Sequence, residues 1–288
     1  MLNFMSNFKF IIMTQNKSKS RTLVNVIGIP CLLGVIWSGG VIFSLFVGIV
    51  MSIGAFELCS LSRTDKKSKP LFSILLIGVI GICILYSCCG NYFNYQMYWI
   101  IAVVIASMIL EIFRKEKRPL LNISVIAFGL IWVGLMIGSM ITIRNIPDYG
   151  FKITIGMFLS VWICDTFAFF FGSKFGKKKI LPLVSPNKSW VGSISGMVGS
   201  IIFMCILHSC NIYEGWITIY QAIIFGFIFG GLSQFGDFSE SVIKREFGLK
   251  DTSNILQGHG GILDRFDSLA IASPLALLYI VCIGKLII

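Results

Sequence analysis

The chain has 288 residues, of which 56% are hydrophobic and 13% are charged, and its formal net charge is +11. Because a soluble domain carries about 25% charged residues, this composition excludes an ordinary soluble protein, and it also excludes a disordered chain and a disulfide-stapled secreted domain. The chain is instead predicted to be a membrane protein, in which the position of the charges matters more than their sum.

Hydropathy predicts nine membrane-spanning helices separated by short polar segments. They cover residues 22–37, 40–60, 71–89, 97–113, 119–143, 152–173, 190–209, 215–235 and 266–286. These runs are long and continuously apolar, whereas the strands of a transmembrane β-barrel alternate in pieces of about ten residues. The predicted fold class is therefore an all-α, polytopic integral membrane protein.

The basic residues predict the orientation of these spans. With the N-terminus placed in the cytoplasm, 21 of the 24 lysine and arginine residues fall in cytoplasmic segments, and Arg144, Lys152 and Lys285 fall on the other side. The positive-inside rule thus predicts the N-terminus inside and the C-terminus outside. Residues 1–21 lack the charge order of a signal peptide and are expected to form at most a short interfacial helix.

Polar residues are concentrated in the second half of the chain. Residues 1–150 are predicted to be an N-terminal scaffold of about five spans. Residues 151–288 are predicted to be the catalytic region, with about four spans and the cytoplasmic segments 174–189 and 236–265. The nine cysteines are an odd number without CxxC spacing, so they are interpreted as small apolar residues.

Asp165 lies in the sixth predicted span, about two turns from its cytoplasmic end. A carboxylate there costs about 2.5–3.5 kcal/mol on insertion scales unless it is paired, metal-bound or hydrated. We therefore predict a functional site, with a buried helix–helix contact as the alternative. The following Gly172…Gly176-Lys177 departs from a P-loop in its spacing and lacks a Ser or Thr after the lysine, so that interpretation is rejected.

The segment 185–192 is predicted to begin the next helix. Ser185 is expected to cap that helix, Pro186 to lie in its first turn and Trp190 to lie at the membrane interface. Lys188 has no such structural role. A lysine beside a helix N-terminus is typical of a phosphate site, so Lys188 is a candidate phosphate ligand.

Residues 236–268 contain the densest group of polar residues. The three- and four-residue spacing of a helix would place four of them on adjacent faces: Asp237, Ser241, Lys244 and Arg245. The sequence Gly258-His259-Gly260-Gly261 predicts a tight loop whose N–H groups can approach a ligand. Asp264 and Asp267 fall in the first turn of the last span, where the helix dipole and a hard cation such as Mg²⁺ stabilise carboxylates.

This third group resembles the signature of the phosphatidate cytidylyltransferases, the CDP-diacylglycerol synthases. The family pattern is met at Ser241, Lys244-Arg245, Lys250-Asp251, Ser253, Gly258-His259-Gly260-Gly261, Asp264-Arg265 and Asp267. Segments near Asp165, Gly172 and Lys188 are similar to upstream motifs of the family, so the resemblance covers residues 162–268. The chain departs from the pattern at Gln257, where the family usually has Pro or Gly, and at Phe169 and Phe170, where Tyr is frequent.

The resemblance implies a homodimeric membrane enzyme of about nine helices that converts CTP and phosphatidate into CDP-diacylglycerol and pyrophosphate in phospholipid biosynthesis. It implies Mg²⁺ as cofactor, with a second cation left open. It also implies an active site at the cytoplasmic face of a bacterial-type inner membrane, surrounded by membrane lipids and without a nucleic-acid partner. The phosphatidate phosphate attacks the α-phosphorus of CTP, and the leaving pyrophosphate needs charge neutralisation.

On this interpretation, Asp237 and Asp264 bracket Mg²⁺, and Asp165 is the third candidate acid. Asp267 positions Arg265 or the metal-bound water. The predicted catalytic residues are Asp165, Asp237, Lys244, Arg245, Asp264, Arg265 and Asp267. The predicted substrate-binding residues are Ser185, Lys188, Ser241, Lys250, Gly258, His259, Gly260 and Gly261.

Two alternatives stay open. A CTP-dependent polyprenol or phytol kinase would share part of this fold and would release CDP rather than pyrophosphate. A cation-coupled secondary transporter would use Asp165 as a cation site nearer the middle of the bilayer and would move substrate without nucleotide. The intact string from Ser241 to Asp267 favours the cytidylyltransferase.

Overall fold

The computed structural model describes residues 26–64, 68–89, 93–250, 252–253 and 260–283. Within these ranges the chain forms nine helices when adjoining α- and π-helical stretches are counted as one. In chain order they are α1 (Val26–Ser38), α2 (Gly40–Arg63), α3 (Phe72–Cys89), α4 (Phe93–Arg114), α5 (Pro119–Arg144), α6 (Gly150–Phe175), α7 (Trp190–Ser209), α8 (Ile219–Glu246) and α9 (Leu263–Cys282).

Seven of these helices in the described residues, all except α1 and α3, are long and apolar enough to cross a membrane by length and composition. Each predicted span overlaps one helix, and the predicted span 190–209 coincides with α7. The all-α, multi-pass membrane fold expected from the composition is therefore confirmed. The count of nine crossings and their orientation stay predictions.

The break between α1 and α2 occurs at Gly39, which has a φ of 62° that favours glycine. The Arg144 guanidinium, at the end of α5, packs so closely against Gly39 that a Cβ there would collide with it. Arg144 donates to the carbonyl oxygens of Ile36 (2.6 Å) and Trp37 (2.9 Å). It thereby satisfies carbonyl groups that the end of α1 leaves without helical partners.

The hydrophobic core contains residues from both halves of the chain. Phe43 and Val133 from the first half and Phe225 and Ala270 from the second half belong to one buried cluster. Helix α9 contacts α5, α6 and α8, so the last helix packs against the predicted scaffold as well as against the predicted catalytic region.

The segment between α6 and α7 differs from its prediction. It forms an antiparallel hairpin of β1 (Lys179–Leu181) and β2 (Ser185–Ser189). The expectation that Ser185 caps a helix with Pro186 in its first turn is wrong, because these residues are extended and pair with β1. The cap is Ser189, whose hydroxyl accepts a hydrogen bond from the Gly192 N–H (3.2 Å).

Helix α8 contains a π-helical stretch, Ile228–Leu232, directly before its polar part (Gln234–Glu246). The predicted loop 236–265 therefore begins as helix and leaves it only after Glu246. Because a π-helical stretch adds a residue to the turn, it changes which side chains face the neighbouring helices. In α8 this change in side-chain direction occurs at the boundary between the apolar part and the polar part, which contains Gln234 and Asp237.

Candidate active site

Two neighbouring cavities lie between the hairpin and α8, and the first of them is also lined by α6. The first, which we call the carboxylate cavity, has a volume of about 310 Å³ and contains Asp165, Lys188 and Asp237 in its wall. The second, which we call the basic cavity, has a volume of about 340 Å³. Its polar and charged lining consists of Ser185, Asn187, Ser241, Lys244, Arg245 and Lys250. Asn187 lines both cavities, so strand β2 forms part of the partition between them.

Lys188 and Asp237 form an ion pair in the wall of the carboxylate cavity. Strand β2 supplies the lysine and the polar part of α8 supplies the aspartate. The Lys188 ammonium also lies 4.4 Å from the centre of the Phe238 ring, a cation–π distance. Asp165 interacts electrostatically with Asp237, Lys188 and Arg265. Lys188 is thus paired with Asp237 and lies in the same cavity wall as Asp165.

Gln234 fixes another wall of this cavity and was missed by the sequence analysis. Its side-chain amide donates to the carbonyl oxygens of Ser193 (3.0 Å) and Gly230, and its oxygen accepts from the Ser193 hydroxyl. These bonds join α8 to α7 beside Asp237. The sequence did contain a signal for this residue, because Gln234 is an amide at the boundary between the apolar and the polar parts of α8.

The basic cavity collects the cations of the C-terminal part of α8. Arg245 donates to the carbonyl oxygens of Val184 (3.0 Å) and Leu249 (3.2 Å), which holds its guanidinium against the hairpin. Ser241 donates to Asp237 (3.4 Å), so its hydroxyl links the two cavities. Three basic side chains around one small cavity form an environment suited to a polyphosphate.

Lys244 and Asp264 join the end of α8 to the start of α9. The Lys244 Nζ lies 2.5 Å from Asp264 Oδ1 and 3.3 Å from Glu240 Oε2. Asp264 Oδ2 accepts hydrogen bonds from the N–H groups of Gly261 (2.6 Å) and Thr252 (3.2 Å) and from the Thr252 hydroxyl (3.0 Å). Asp264 therefore organises both the lysine and the backbone that leads into α9.

Glu240 and Asp267 add two more acidic groups around Lys244. Glu240 is fully buried, and Asp267 accepts from the Ser268 N–H (2.5 Å). Asp267 interacts electrostatically with Asp237, Glu240 and Lys244. Glu240 was missed by the sequence analysis, although its four-residue spacing from Lys244 is that of a helical ion pair.

Glu57, in α2, was also missing from the predicted site residues, and it lies in the region predicted to be scaffold. It is fully buried, and its two carboxylate oxygens accept hydrogen bonds from the segment between α8 and α9 and from the first residue of α9. It is the only acidic residue in the predicted span 40–60. An ionisable residue within a span indicates a functional role, and the rule that singled out Asp165 applies equally to Glu57.

The structure brings most of the predicted site residues together. Asp165, Lys188 and Asp237 share the carboxylate cavity, whereas Ser185, Ser241, Lys244, Arg245 and Lys250 line the basic cavity. Gly260 lies beside the Asp264 carboxylate. Gly258 and His259, and the position of Gln257, lie outside the described residues.

The residues predicted to hold Mg²⁺ occur in two different ion pairs. Asp237 is paired with Lys188, and Asp264 is paired with Lys244. In the part of the chain that the structure describes, no three or more histidine, cysteine, aspartate or glutamate side chains are grouped so as to hold a metal ion. Sharing of one Mg²⁺ by Asp237 and Asp264 stays a prediction.

Comparison with known proteins covers nearly the whole chain. The cytidylyltransferase family model matches residues 19–283. A phosphatidate cytidylyltransferase of Staphylococcus haemolyticus is 34% identical over 264 residues, which is 89% of this chain and 96% of that protein. Its counterpart in Haemophilus influenzae is 33% identical over 255 residues, 81% of this chain and 87% of that protein. With this coverage and this site, the chain belongs to the cytidylyltransferase family.

Proposed function

We propose that the protein is a phosphatidate cytidylyltransferase, which forms CDP-diacylglycerol and pyrophosphate from CTP and phosphatidate. The observation that carries the proposal is the adjacency of the two cavities, which share Asn187 and are linked by Ser241 and Asp237. Two polyanionic substrates that react with each other need two neighbouring binding sites. Phosphatidate cytidylyltransferase is also the name of the relatives from Staphylococcus and Haemophilus.

The basic cavity is the proposed site for the triphosphate of CTP. Lys244, Arg245 and Lys250 line it and neutralise the charge that builds up on pyrophosphate as it leaves. In the reaction, a phosphate oxygen of phosphatidate forms a bond to the α-phosphorus of CTP. The bond from that phosphorus to the bridging oxygen of pyrophosphate breaks, and no covalent enzyme intermediate is needed.

The carboxylate cavity is the proposed site for the phosphatidate headgroup. Phe169, Ile180 and Phe238 line it beside Lys188, and the Phe169 side chain is 78% exposed. An apolar rim next to a lysine suits a substrate whose acyl chains stay in the bilayer while its phosphate enters the protein. Lys188 would contact that phosphate, and Ser185 and Asn187 would contact the nucleotide from the other side of β2.

Mg²⁺ fits this site through Asp165 and Asp237, which line one cavity and offer hard oxygen ligands, with substrate phosphates completing the coordination. Asp264 fits less readily, because it pairs with Lys244 through Oδ1 and accepts three hydrogen bonds at Oδ2. Asp237 has fewer protein partners, namely Lys188 and the Ser241 hydroxyl. Bound Mg²⁺ would neutralise the phosphates and polarise the α-phosphorus. This assignment keeps Asp237 from the sequence prediction and replaces Asp264 with Asp165 as its partner.

The proposed setting is the cytoplasmic face of a bacterial-type inner membrane, with nine crossings and the N-terminus inside. The distribution of charge along the sequence supports this setting, because 21 of the 24 lysine and arginine residues fall in segments that the positive-inside rule assigns to the cytoplasm, residues 174–189 among them. Labelling of Lys174 and Lys178 in sealed inside-out vesicles, but not in intact cells, tests this orientation. The predicted homodimer is tested by the mass of the purified protein–detergent complex.

The deciding experiment uses purified protein in detergent with phosphatidate, Mg²⁺ and CTP labelled at the α-phosphate. The proposal predicts label in a lipid and release of pyrophosphate. With a polyprenol or phytol in place of phosphatidate, transfer of the unlabelled γ-phosphoryl group to the lipid hydroxyl with release of labelled CDP would identify a lipid kinase instead. Transport of a solute in sealed vesicles without nucleotide would identify a transporter, and absence of any lipid-linked CMP would overturn the proposal.

A further inference from the structure

The buried carboxylate of Glu57 bonds to four groups of the second half of the chain. Oε1 accepts from the Ser253 hydroxyl (2.5 Å) and the Ile262 N–H (2.9 Å). Oε2 accepts from the Leu263 N–H (2.9 Å) and the Thr252 hydroxyl (3.4 Å). The four donors lie about 200 residues away in the sequence, two within the segment that connects α8 to α9 and two where this segment enters α9.

Two of these donors belong to the first turn of α9. The N–H groups at a helix N-terminus lack helical partners and carry the positive end of the helix dipole. The Glu57 carboxylate accepts hydrogen bonds from the Ile262 and Leu263 N–H groups, and so α2 fixes where α9 begins. The other two donors fix the residues that follow Lys250.

The same segment holds the Lys244–Asp264 pair. Thr252 and Gly261 donate to Asp264 Oδ2, and the Thr252 hydroxyl lies within reach of both carboxylates, 3.0 Å from Asp264 and 3.4 Å from Glu57. Thr252 can donate its one hydroxyl proton to only one of them at a time. Thr252 therefore connects Glu57 to the Lys244–Asp264 pair, of which Lys244 lines the basic cavity.

The surroundings of Gly261 are too close for any residue with a side chain. A Cβ at this position would lie 2.6 Å from Glu57 Oε1 and would also collide with the Thr252 hydroxyl. The last glycine of the Gly-His-Gly-Gly sequence is thus required by the approach of Glu57, in addition to any contact with substrate. A carboxylate from the predicted scaffold and a glycine from the catalytic region fit together as one unit.

We propose that Glu57 is a positioning residue for cytidylyl transfer. It clamps Thr252 and Ser253, which lie within the segment between α8 and α9, to Ile262 and Leu263 at the start of α9, so that Asp264 holds Lys244 in the basic cavity. The inference rests on the proposed function, since its effect is measured on that reaction. It assigns a role in the reaction to residues 1–150, which the sequence analysis treated as scaffold.

The test compares Glu57→Gln with Glu111→Gln. Glu111 is a matched control because it is also buried (5% exposed), lies near the corresponding end of α4 and bonds to Asn122 (3.2 Å) and Arg114, away from both cavities. Glutamine keeps the shape of Glu57 but turns an NH₂ group towards one pair of donors, which releases either Ser253 and Ile262 or Leu263 and Thr252. Both variants are purified in detergent and assayed beside the wild type for kcat, KM and melting temperature.

The proposal predicts that kcat of Glu57→Gln falls by about 10²-fold, as a misplaced catalytic group would cause, with a much smaller change in KM for CTP. Its melting temperature should fall no further than that of Glu111→Gln. Equal kcat in the two glutamine variants, or a loss of kcat only in proportion to unfolding, would overturn the proposal. An inactive wild type would instead overturn the proposed function and this inference with it.

Two milder variants keep the proposal testable if Glu57→Gln does not fold. Glu57→Asp keeps the charge on a shorter side chain and should recover part of kcat. Ser253→Ala removes one donor and should lower kcat less than Glu57→Gln does. In the double variant Glu57→Asp/Ser253→Ala, kcat should fall by less than the product of the two separate fold-reductions, because both substitutions act through one contact. Fully multiplicative effects would overturn the clamp.

Discussion

Lys244 and Asp264 lie 20 residues apart in the sequence, yet their side chains meet at 2.5 Å and tie the end of α8 to the start of α9. Lys244 is only 8% exposed, and Asp264 accepts three further hydrogen bonds from the connecting segment. The pair therefore has two consequences: it holds a cation in the basic cavity, and it closes the segment that carries the signature glycines.

Asp264→Asn should abolish turnover. The substitution leaves Lys244 without its main counter-charge, and removal of one partner from a buried pair costs about 3–5 kcal/mol. We expect a lower melting temperature in detergent together with a loss of CDP-diacylglycerol formation beyond what unfolding explains. Asp148→Asn is the control, because Asp148 is exposed in the turn before α6 and has a φ of 61° that asparagine also tolerates. Near-normal activity of Asp264→Asn would contradict the role given to this pair.

Lys188→Gln should weaken phosphatidate binding. The lysine pairs with Asp237 and faces the carboxylate cavity, and a hydrogen bond to a charged group contributes about 1.5–3 kcal/mol. At about 1.4 kcal/mol per factor of ten, kcat/KM for phosphatidate should fall about 10- to 100-fold. Because the guanidinium fork does not reproduce the compact ammonium over Phe238, Lys188→Arg should restore only part of this loss.

The control for this position is Lys174→Gln. Lys174 is exposed at the end of α6, where its ammonium lies 5.5 Å from the centre of the Phe175 ring and outside both cavities. If charge near the membrane surface were all that mattered, Lys174→Gln and Lys188→Gln would lower kcat/KM equally. That result would remove Lys188 from the substrate site.

The helices and the main clusters of the site were predictable because both depend on local patterns. Continuous apolar runs give the spans, and the three- and four-residue spacing of Asp237, Ser241 and Lys244 places them on adjacent faces of α8. Ser189 rather than Ser185 caps α7, because Ser185 lies in β2. This difference was not predictable, since the pairing of β2 with β1 depends on tertiary geometry that spacing does not show.

Glu57 was not predictable from the signature, since its partners lie in another region of the chain. Its bonds to Ser253 and Leu263 arise only when α2 packs against the start of α9. The position of a single acid in an apolar span was nevertheless visible in the sequence. The division into scaffold and catalytic region followed the density of polar residues, which does not report which helices touch.

Removal of Mg²⁺ should stop the reaction, and the aspartate variants should identify its ligands. Chelation with EDTA is expected to abolish product formation, and added Mg²⁺ should restore it. If Asp165 and Asp237 hold the ion, Asp165→Asn and Asp237→Asn should raise the Mg²⁺ concentration for half-maximal activity, whereas Glu111→Gln should not. A shift in Asp237→Asn but not in Asp165→Asn would exclude Asp165 as a ligand and would leave the pairing of Asp237 with Asp264 expected from the sequence.

Arg144→Gln should lower stability without changing the chemistry. Its guanidinium donates to the last carbonyls of α1 and packs against Gly39, at the opposite end of α2 from Glu57. Loss of these charged hydrogen bonds should cost about 1.5–3 kcal/mol, seen as a lower melting temperature in detergent. At a temperature where the variant is folded, kcat and both KM values should equal those of the wild type, since neither cavity contains a group from this end of α2. A fall in kcat of the folded variant would show that the position of α2 along its whole length, rather than the Glu57 contact, controls the site.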